Sequence, residues 1–76
     1  MIRSIIHRSD DLALLVRNKR KKDGLTQAEA AALCGVGTRF LSDIENGKNS
    51  LHFSKVLKVL EGLGLVLEAR ERGYRA

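Results

Sequence analysis

Residues 25 to 47 of this chain read LTQAEAAALCGVGTRFLSDIENG, which contains two short helical patterns separated by a glycine-containing turn. The first pattern opens at Thr26, whose hydroxyl can accept from the Glu29 N–H while the Glu29 carboxylate reaches back to the Thr26 N–H, as in a capping box. It ends at Gly35, a residue type that adopts positive φ without strain. The second pattern runs from Thr38 to Asn46. The sequence therefore predicts two helices joined by a tight turn.

Four positions in this stretch carry the residue types that a helix-turn-helix requires. A small residue stands where the two helices cross, glycine stands in the turn, and two branched apolar residues share one face of the second helix. These positions are Ala31, Gly35, Leu41 and Ile44. We expect the apolar pair to pack inward against Leu33 and Val36. The outer face of the second helix then stays free to enter the major groove of DNA.

One further helix is predicted on each side of this motif. Ser9 is expected to cap the first, because Asp10 and Asp11 follow it at the positive end of the helix dipole. A fourth helix is indicated by apolar residues spaced for one buried face. These residues are Phe53, Val56, Leu57, Leu60 and Leu63. Gly62 and Gly64 are expected to end this helix.

Residues 65 to 70 change the period of the apolar pattern. Leu65, Leu67 and Ala69 would share one face and Val66 the other, which favours a short strand. A lone strand is not stable in water, so we expect these four residues to pair with the same strand of a second subunit. Residues 72 to 76 are expected to form a loose tail.

The expected fold is therefore all-α. It is one four-helix domain over residues 1–76, with the helix-turn-helix at about 26–46 and a C-terminal strand that pairs across a homodimer. A chain this small buries little apolar surface by itself, and many small proteins gain stability by associating with a second copy.

The charge of the chain points to its kind of partner. The 14 Lys and Arg residues outnumber the 9 Asp and Glu residues, giving a formal net charge of +5. This favours a polyanionic partner, nucleic acid ahead of a membrane surface, although a basic protein with no such partner is the alternative. No run approaches the roughly 20 apolar residues of a membrane span. We expect a cytoplasmic protein that does not contact a membrane.

Neither a metal site nor an enzyme is expected. Cys34, His7 and His52 are scattered along the chain, whereas metal ligands cluster at short spacings. Asp43 and Glu45 lie close together on one helix, but no nucleophile accompanies them. We therefore expect no metal, no cofactor and no catalytic residue.

The chain resembles the lambda-repressor/Cro-like (XRE) family of regulators from about Leu12 to Gly64. The resemblance rests on Leu25-Thr26-Gln27, on Gly35-Val36 and on Leu41-Ser42-Asp43-Ile44-Glu45-Asn46-Gly47-Lys48. After Gly64 many members continue with another helix, and the leucine-rich strand found here is more similar to the HipB-like antitoxin branch.

This resemblance implies a sequence-specific repressor that binds a palindromic operator on double-stranded DNA as a homodimer. In the HipB-like branch it further implies an antitoxin that represses its own promoter, with a HipA-like kinase as the toxin. Two alternatives stay open, a protein-interaction module that mainly neutralises the kinase and a stand-alone phage-type repressor.

The resemblance also implies roles for the residues of the second helix of the motif. Thr38 and Arg39 would reach base edges, with Ser42 and Asp43 one turn further along. The fork of Arg39 matches guanine O6 and N7, though a phosphate contact or a solvated position is its alternative. Asp43 would either accept from a cytosine amino group or orient Arg39. Phe40 would pack on a thymine methyl group or join the core.

The remaining implied roles concern the DNA backbone and the support of the recognition helix. The family's phosphate contacts fall here on Gln27, Gly37, Asn46, Lys48 and Asn49. Gly37 departs from the pattern, since many relatives carry a capping Ser or Thr there. Arg20 and Glu45 match a pair that fixes the recognition helix against the first helix.

Overall fold

The computed structural model describes residues 3–72, which form four helices. In chain order they are α1 (Ser9–Lys22), α2 (Gln27–Cys34), α3 (Thr38–Glu45) and α4 (Phe53–Gly62). Helix α3 packs against α1 and α2, and α2 also packs against α4. Within residues 3–72 no helix is long and apolar enough to span a membrane. The predicted all-α, four-helix fold is confirmed.

The core lies where α3 packs against α1 and α2 and where α2 packs against α4. Its largest fully buried side chains are Val16, Leu41, Ile44 and Val59. Ala30 and Ala31 are also buried, and a larger side chain there would force α2 away from its neighbours. Leu41 and Ile44 turn one face of α3 into the core, so the opposite face points to solvent.

Two apolar residues expected inside are on the surface. Leu33 is 60% exposed and Phe53 is 64% exposed, so the prediction was wrong for both. On α2 the inner face is formed by Ala30, Ala31 and Cys34, which turns Leu33 outward.

The inner face of α4 differs in the same way from the one predicted. It is formed by Val56, Val59, Leu60 and Leu63. Val59 is fully buried although the predicted stripe omitted it, whereas Leu57 lies at the exposed edge. Phe53, the first residue of the helix, lies beyond the covered part of this face.

At the starts of α1 and α2 a side-chain carboxylate accepts backbone hydrogen bonds. At α1 the prediction of Ser9 as the cap was wrong, because Ser9 is already part of the helix. Instead, the Asp11 carboxylate accepts hydrogen bonds from the His7 and Arg8 N–H groups at 2.8 and 3.1 Å. These backbone hydrogen bonds lower the pKa of Asp11. The capping box of α2 is confirmed: the Glu29 N–H donates to Thr26 Oγ1 at 3.1 Å, and the Thr26 N–H donates to Glu29 Oε1 at 2.9 Å.

The turn between α2 and α3 is closed by Gly35, whose φ of 71° lies in the left-handed region that glycine tolerates best. The Val36 N–H then donates to the Ala31 carbonyl at 3.0 Å, which ties the turn to the helix before it. As a result only three residues separate the end of α2 from the start of α3.

The segment after α4 has no regular secondary structure from residue 65 to residue 72. Gly62 is the last residue of α4. The Leu65 N–H donates to the Leu60 carbonyl at 2.8 Å, which ties the start of the segment to the end of α4. Strand pairing across a dimer needs a second chain and stays a prediction. Of the expected tail, residues 73–76 lie outside the described residues.

Candidate nucleic-acid interface

Helix α3 presents a polar outer face next to an open N-terminus. Its N-cap residue, Gly37, has no side chain to accept from the first N–H groups. Thr38 and Arg39 follow it and are exposed, while Ser42 and Asp43 are half-buried one turn later. The candidate base-reading residues therefore lie on one side of α3, opposite its two core residues.

The charged groups on this face are arranged around Asp43. Its Oδ2 lies 3.6 Å from Lys48 Nζ, and the Lys48 N–H donates to the Asp43 carbonyl at 3.1 Å. Arg39 has no acidic partner within 4.0 Å among residues 3–72. Asp43 therefore forms no ion pair with Arg39 in the free chain, so the role of orienting Arg39 gains no support from one. It pairs with Lys48 instead, a partner that the sequence did not indicate.

Glu45 is the centre of a buried network behind this face. Arg20 Nε donates to Glu45 Oε2 at 2.7 Å and Arg20 Nη2 to Oε1 at 2.9 Å. Arg20 Nη1 also donates to the Leu25 carbonyl at 2.8 Å, so one guanidinium links α1, the loop before α2 and the end of α3. The Glu45 side chain is only 4% exposed. The bidentate pair therefore fixes the position of α3.

Gln27 belongs to the same network. Its Nε2 donates to Glu45 Oε1 at 3.1 Å, a contact that the sequence analysis did not anticipate. Gln27 is the first residue of α2, so the amide joins the start of that helix to the end of α3. A phosphate contact by this residue would have to use the rest of its amide group or its backbone.

The network shifts the pKa of Glu45. Burial raises the pKa, but the hydrogen bonds from Arg20 and Gln27 and the charges of Arg20 and Arg17 outweigh burial, so the pKa lies below its ordinary value. The hydrogen bond to Glu45 in turn raises the pKa of Arg20. Both groups stay charged at neutral pH.

We expect the free energy of unfolding to fall in acid. The pKa values of Asp11, Glu29 and Glu45 are lower in the folded chain than in the unfolded one. Groups of this kind contribute their stability above the unfolded pKa and lose it as the pH falls through the folded pKa. Urea unfolding should therefore give a constant stability from pH 7 to about 5 and a decline below about 4.5. Stability that rises on acidification would contradict this assignment.

The loop after α3 lies against the start of α1. Gly47 has a φ of 76°, and a Cβ atom there would lie 2.5 Å from Asp10 Oδ1. Asn46, at the end of α3, donates from Nδ2 to Ser42 Oγ at 3.4 Å. Lys48 and Asn49 are exposed beyond it. The predicted phosphate contacts at residues 46, 48 and 49 thus lie together next to the recognition face.

The remaining candidates are structural in this chain. Phe40 packs against the core, with Lys55 Nζ 5.8 Å from its ring centre, which favours the core over a thymine contact. Cys34 is buried and its Sγ lies 3.4 Å from the Val59 carbonyl. Burial raises the pKa of the thiol, so it is a poor nucleophile. Within the described part of the chain no group of His, Cys, Asp or Glu could hold a metal ion.

Helix α3 follows a three-residue turn, is held in the core by one face and carries polar and basic side chains on the other. This arrangement defines a helix-turn-helix DNA-binding domain. The chain matches the model of the helix-turn-helix family HTH_3 over residues 16–68, and it belongs to this family. The resemblance inferred from residues 25 to 48 is thereby confirmed. The family is a class of DNA-binding regulators, which also confirms that the protein is not an enzyme.

Individual relatives agree with this assignment. The chain is 43% identical over 65 residues to the uncharacterized HTH-type transcriptional regulator y4mF of Sinorhizobium fredii, with 86% of each chain covered. Its fold is similar to that of the HipB-O4 20mer complex, with a TM-score of 0.83, 24% identity, and coverage of 93% of this chain and 100% of the other. The HipA-HipB-O2-O3 complex gives a TM-score of 0.82 at the same identity and coverage. The protein is therefore a DNA-binding transcriptional regulator with a HipB-like fold.

Proposed function

We propose that this protein is a sequence-specific repressor that binds a palindromic operator as a homodimer and acts as the antitoxin of a toxin–antitoxin pair. The observation that carries the proposal is the exposed face of α3, where Arg39 stands without an acidic partner among the described residues. Two such helices in a dimer would read half-sites about 34 Å apart. Such a protein would work in the cytoplasm, where its operator is.

The proposed base contacts are made by the first two turns of α3. The guanidinium of Arg39 can donate two hydrogen bonds to guanine O6 and N7, which discriminates by about 1–3 kcal/mol against other bases. Thr38 and Ser42 offer hydroxyl groups on the same side. Because Leu41 and Ile44 hold the opposite face of α3 in the core, this side is held toward the groove with little freedom to turn.

The proposed backbone contacts flank the base-reading residues. Lys48 and Asn49 follow α3, and Gln27 begins α2. Asn46 lies at the end of α3 and Gly37 at its start, where the backbone N–H of Gly37 can reach a phosphate. Contacts of this type set the register of the protein on DNA and carry no sequence information.

Replacing Arg39 by alanine tests this assignment. We expect a duplex selected by the wild-type protein from a randomised pool to lose roughly 5- to 100-fold in affinity for Arg39→Ala. A scrambled duplex should lose much less, since it offers no guanine at the matched position. The matched control is Arg72→Ala, which removes one positive charge from the exposed segment after residue 70 and should leave the preference intact. An equal loss on both duplexes would instead make Arg39 a phosphate contact.

A homodimer is supported by an apolar surface that the single chain leaves open. A groove beside α4 is lined mainly by apolar residues, which are Leu57, Leu60 and the segment Leu65 to Leu67, together with Ser54, Lys58 and Glu61. Val66 is 90% exposed and Leu67 more than half exposed. Pairing of Leu65, Val66, Leu67 and Ala69 with the same residues of a second chain would cover this surface and satisfy the backbone of the segment.

Val66→Glu should convert the dimer into a monomer with little change in helix content. The side chain makes few contacts within the chain, so the loss should come from the interface, where a buried unpaired carboxylate is costly. Sedimentation velocity at micromolar concentration measures this directly. The matched control is Leu14→Glu on α1, a residue 58% exposed, which should leave the dimer intact. A dimer that survives Val66→Glu would rule out this interface.

The antitoxin role is supported by the likeness in fold to HipB, which forms a complex with HipA in one of the similar structures. By analogy the toxin partner would be a HipA-like kinase. Arg39→Ala separates the two activities of an antitoxin. It should lower the affinity for the operator by roughly 5- to 100-fold and leave binding to a co-expressed kinase unchanged. If the kinase binds and no DNA sequence is preferred, the protein is a toxin-neutralising module instead.

A further inference from the structure

We propose that Asn46 is a site of spontaneous deamidation, at which the backbone nitrogen of Gly47 attacks the side-chain amide and a carboxylate finally replaces it. The reaction needs no enzyme and no partner other than water. Asn46 is exposed and Gly47 is half-buried, so solvent reaches the reacting groups. The effect on DNA binding rests on the proposed function, whereas the chemistry at Asn46 does not.

The sequence places the most reactive neighbour directly after Asn46. In deamidation the backbone nitrogen of the following residue attacks the asparagine side chain, and a Cβ atom on that residue hinders the approach. Glycine has no Cβ atom. Of the two other asparagines, Asn18 precedes Lys19. Asn49 precedes Ser50. Position 46 is therefore the one at which the following residue leaves the side chain open to attack.

The fold favours glycine at position 47. Its φ of 76° lies in the left-handed region, where other side chains are strained, and a Cβ atom would lie 2.5 Å from Asp10 Oδ1. A residue with a side chain would slow the reaction, but it would have to adopt this backbone and displace the Asp10 carboxylate. The packing of the loop against α1 thus keeps Asn46 reactive.

In the closed conformation the fold holds the two reacting groups apart. The ψ angle of Asn46 is 3°, which turns the Gly47 nitrogen away from Asn46 Cγ. The Gly47 N–H also donates to the Ile44 carbonyl at 3.0 Å, so its proton is held. The reaction therefore requires a rotation about the Cα–C bond of Asn46 and the release of this hydrogen bond.

A local opening at the end of α3 is enough for this rotation. It gives up the hydrogen bond of the Gly47 N–H and that from the Lys48 N–H to the Asp43 carbonyl at 3.1 Å. The Asn46 side chain is held by one long hydrogen bond, 3.4 Å from Nδ2 to Ser42 Oγ. Openings of this size cost much less than global unfolding. Two backbone hydrogen bonds should slow deamidation of the native chain roughly 5- to 150-fold relative to the unfolded chain.

The reaction balances with water as the co-reactant. The Gly47 nitrogen loses its proton to hydroxide and forms a bond to Asn46 Cγ. The bond from Cγ to Nδ2 breaks, and the amide leaves as ammonia with a proton from water. Water then opens the cyclic imide at one of its two carbonyl carbons, which gives aspartate or isoaspartate. Both products add one negative charge, and in isoaspartate the main chain runs through Cγ and is one carbon longer.

A carboxylate at position 46 acts against DNA binding. The Asn46 amide can donate a hydrogen bond to a phosphate, whereas a carboxylate only accepts and its charge repels the phosphates. In isoaspartate the extra carbon also shifts Gly47 relative to Asp10. We expect the affinity of the converted protein for DNA to fall by about tenfold or more. Deamidation would thus release an ageing repressor from its operator.

The test ages the full-length native protein in warm, mildly alkaline buffer and maps its peptides by mass spectrometry. We expect conversion at Asn46, faster in urea by the factor given above, with Asn18 and Asn49 unchanged. The matched control is Asn46→Gln, which keeps the amide but would have to close a larger ring, a much slower reaction. During ageing the affinity of wild type for a duplex selected by fresh protein should decline in proportion to conversion. Asn46→Gln should keep whatever affinity it starts with.

The possible contrary results are distinct. A native chain whose Asn46 stays intact while the unfolded chain converts would overturn the site, because the fold would then keep it closed. Equal conversion at Asn49 would show that exposure decides and Gly47 does not. A converted protein that binds its duplex as tightly as the fresh protein would overturn the effect on DNA binding. A fresh protein that selects no sequence would contradict the proposed function, while peptide mapping would still decide the chemistry at Asn46.

Discussion

Replacing Glu45 by alanine should lower the free energy of unfolding by about 3–5 kcal/mol, because it leaves the buried Arg20 guanidinium without its partner. Arg20 is 9% exposed and donates two of its hydrogen bonds to Glu45, so water cannot replace the carboxylate easily. A domain of this size has a total stability of roughly 4–11 kcal/mol. Urea denaturation followed by circular dichroism should therefore find the variant close to the unfolding threshold.

The control for this prediction is Glu71→Ala, which removes an exposed carboxylate from the segment after residue 70 and should change stability by less than about 0.5 kcal/mol. The double variant Arg20→Met with Glu45→Met should lose less than the sum of the two single changes, since no charge is then left buried without a partner. Single losses that simply add up would show that Arg20 and Glu45 contribute independently, contrary to the network described above.

Substitution of Gly62 by valine should destabilise the chain by about 3 kcal/mol through overpacking. A Cβ atom at Gly62 would lie 2.6 Å from Cys34 Sγ and 2.8 Å from Cys34 Cα. The second distance involves backbone, so a change of rotamer cannot relieve it and α2 must move away from α4. Because α2 also contacts α3, the strain would reach the recognition helix.

Two further variants separate this packing effect from the loss of a glycine in general. Gly37→Ala places a methyl group where no heavy atom lies within 4 Å, and we expect its thermal midpoint to stay within a few degrees of wild type. Adding Cys34→Ala to Gly62→Val removes the sulfur but leaves the backbone contact, so it should restore only part of the stability. A Gly62→Val variant as stable as wild type would mean that α2 and α4 are less closely packed than described.

The sequence was most informative where structure depends on neighbouring residues. The capping box at Thr26 and Glu29 and the turn at Gly35 are local, since each needs only residues three to five positions apart. The inward positions of Leu41 and Ile44 follow from helical spacing alone. These elements place α3 on the surface, and with it the candidate DNA-binding face.

Features that depend on packing between distant segments were not predictable in the same way. Leu33 has the character of a core residue, but three smaller residues of α2 already fill the inner face. The contacts of Gln27 with Glu45 and of Gly62 with Cys34 join positions 18 and 28 residues apart, and no local pattern signals them. The pairing of residues 65 to 70 stays a prediction, because it depends on a second molecule.

A salt titration of binding tests most directly whether α3 reads DNA sequence. The wild-type protein is titrated onto its selected duplex and onto a scrambled duplex of equal length, from low to high salt. We expect tight binding to the selected duplex alone, with log K falling linearly against log salt by about 0.9 for each phosphate contacted. Equal and weak binding to both duplexes at every salt concentration would contradict the account, because α3 would then carry no sequence information.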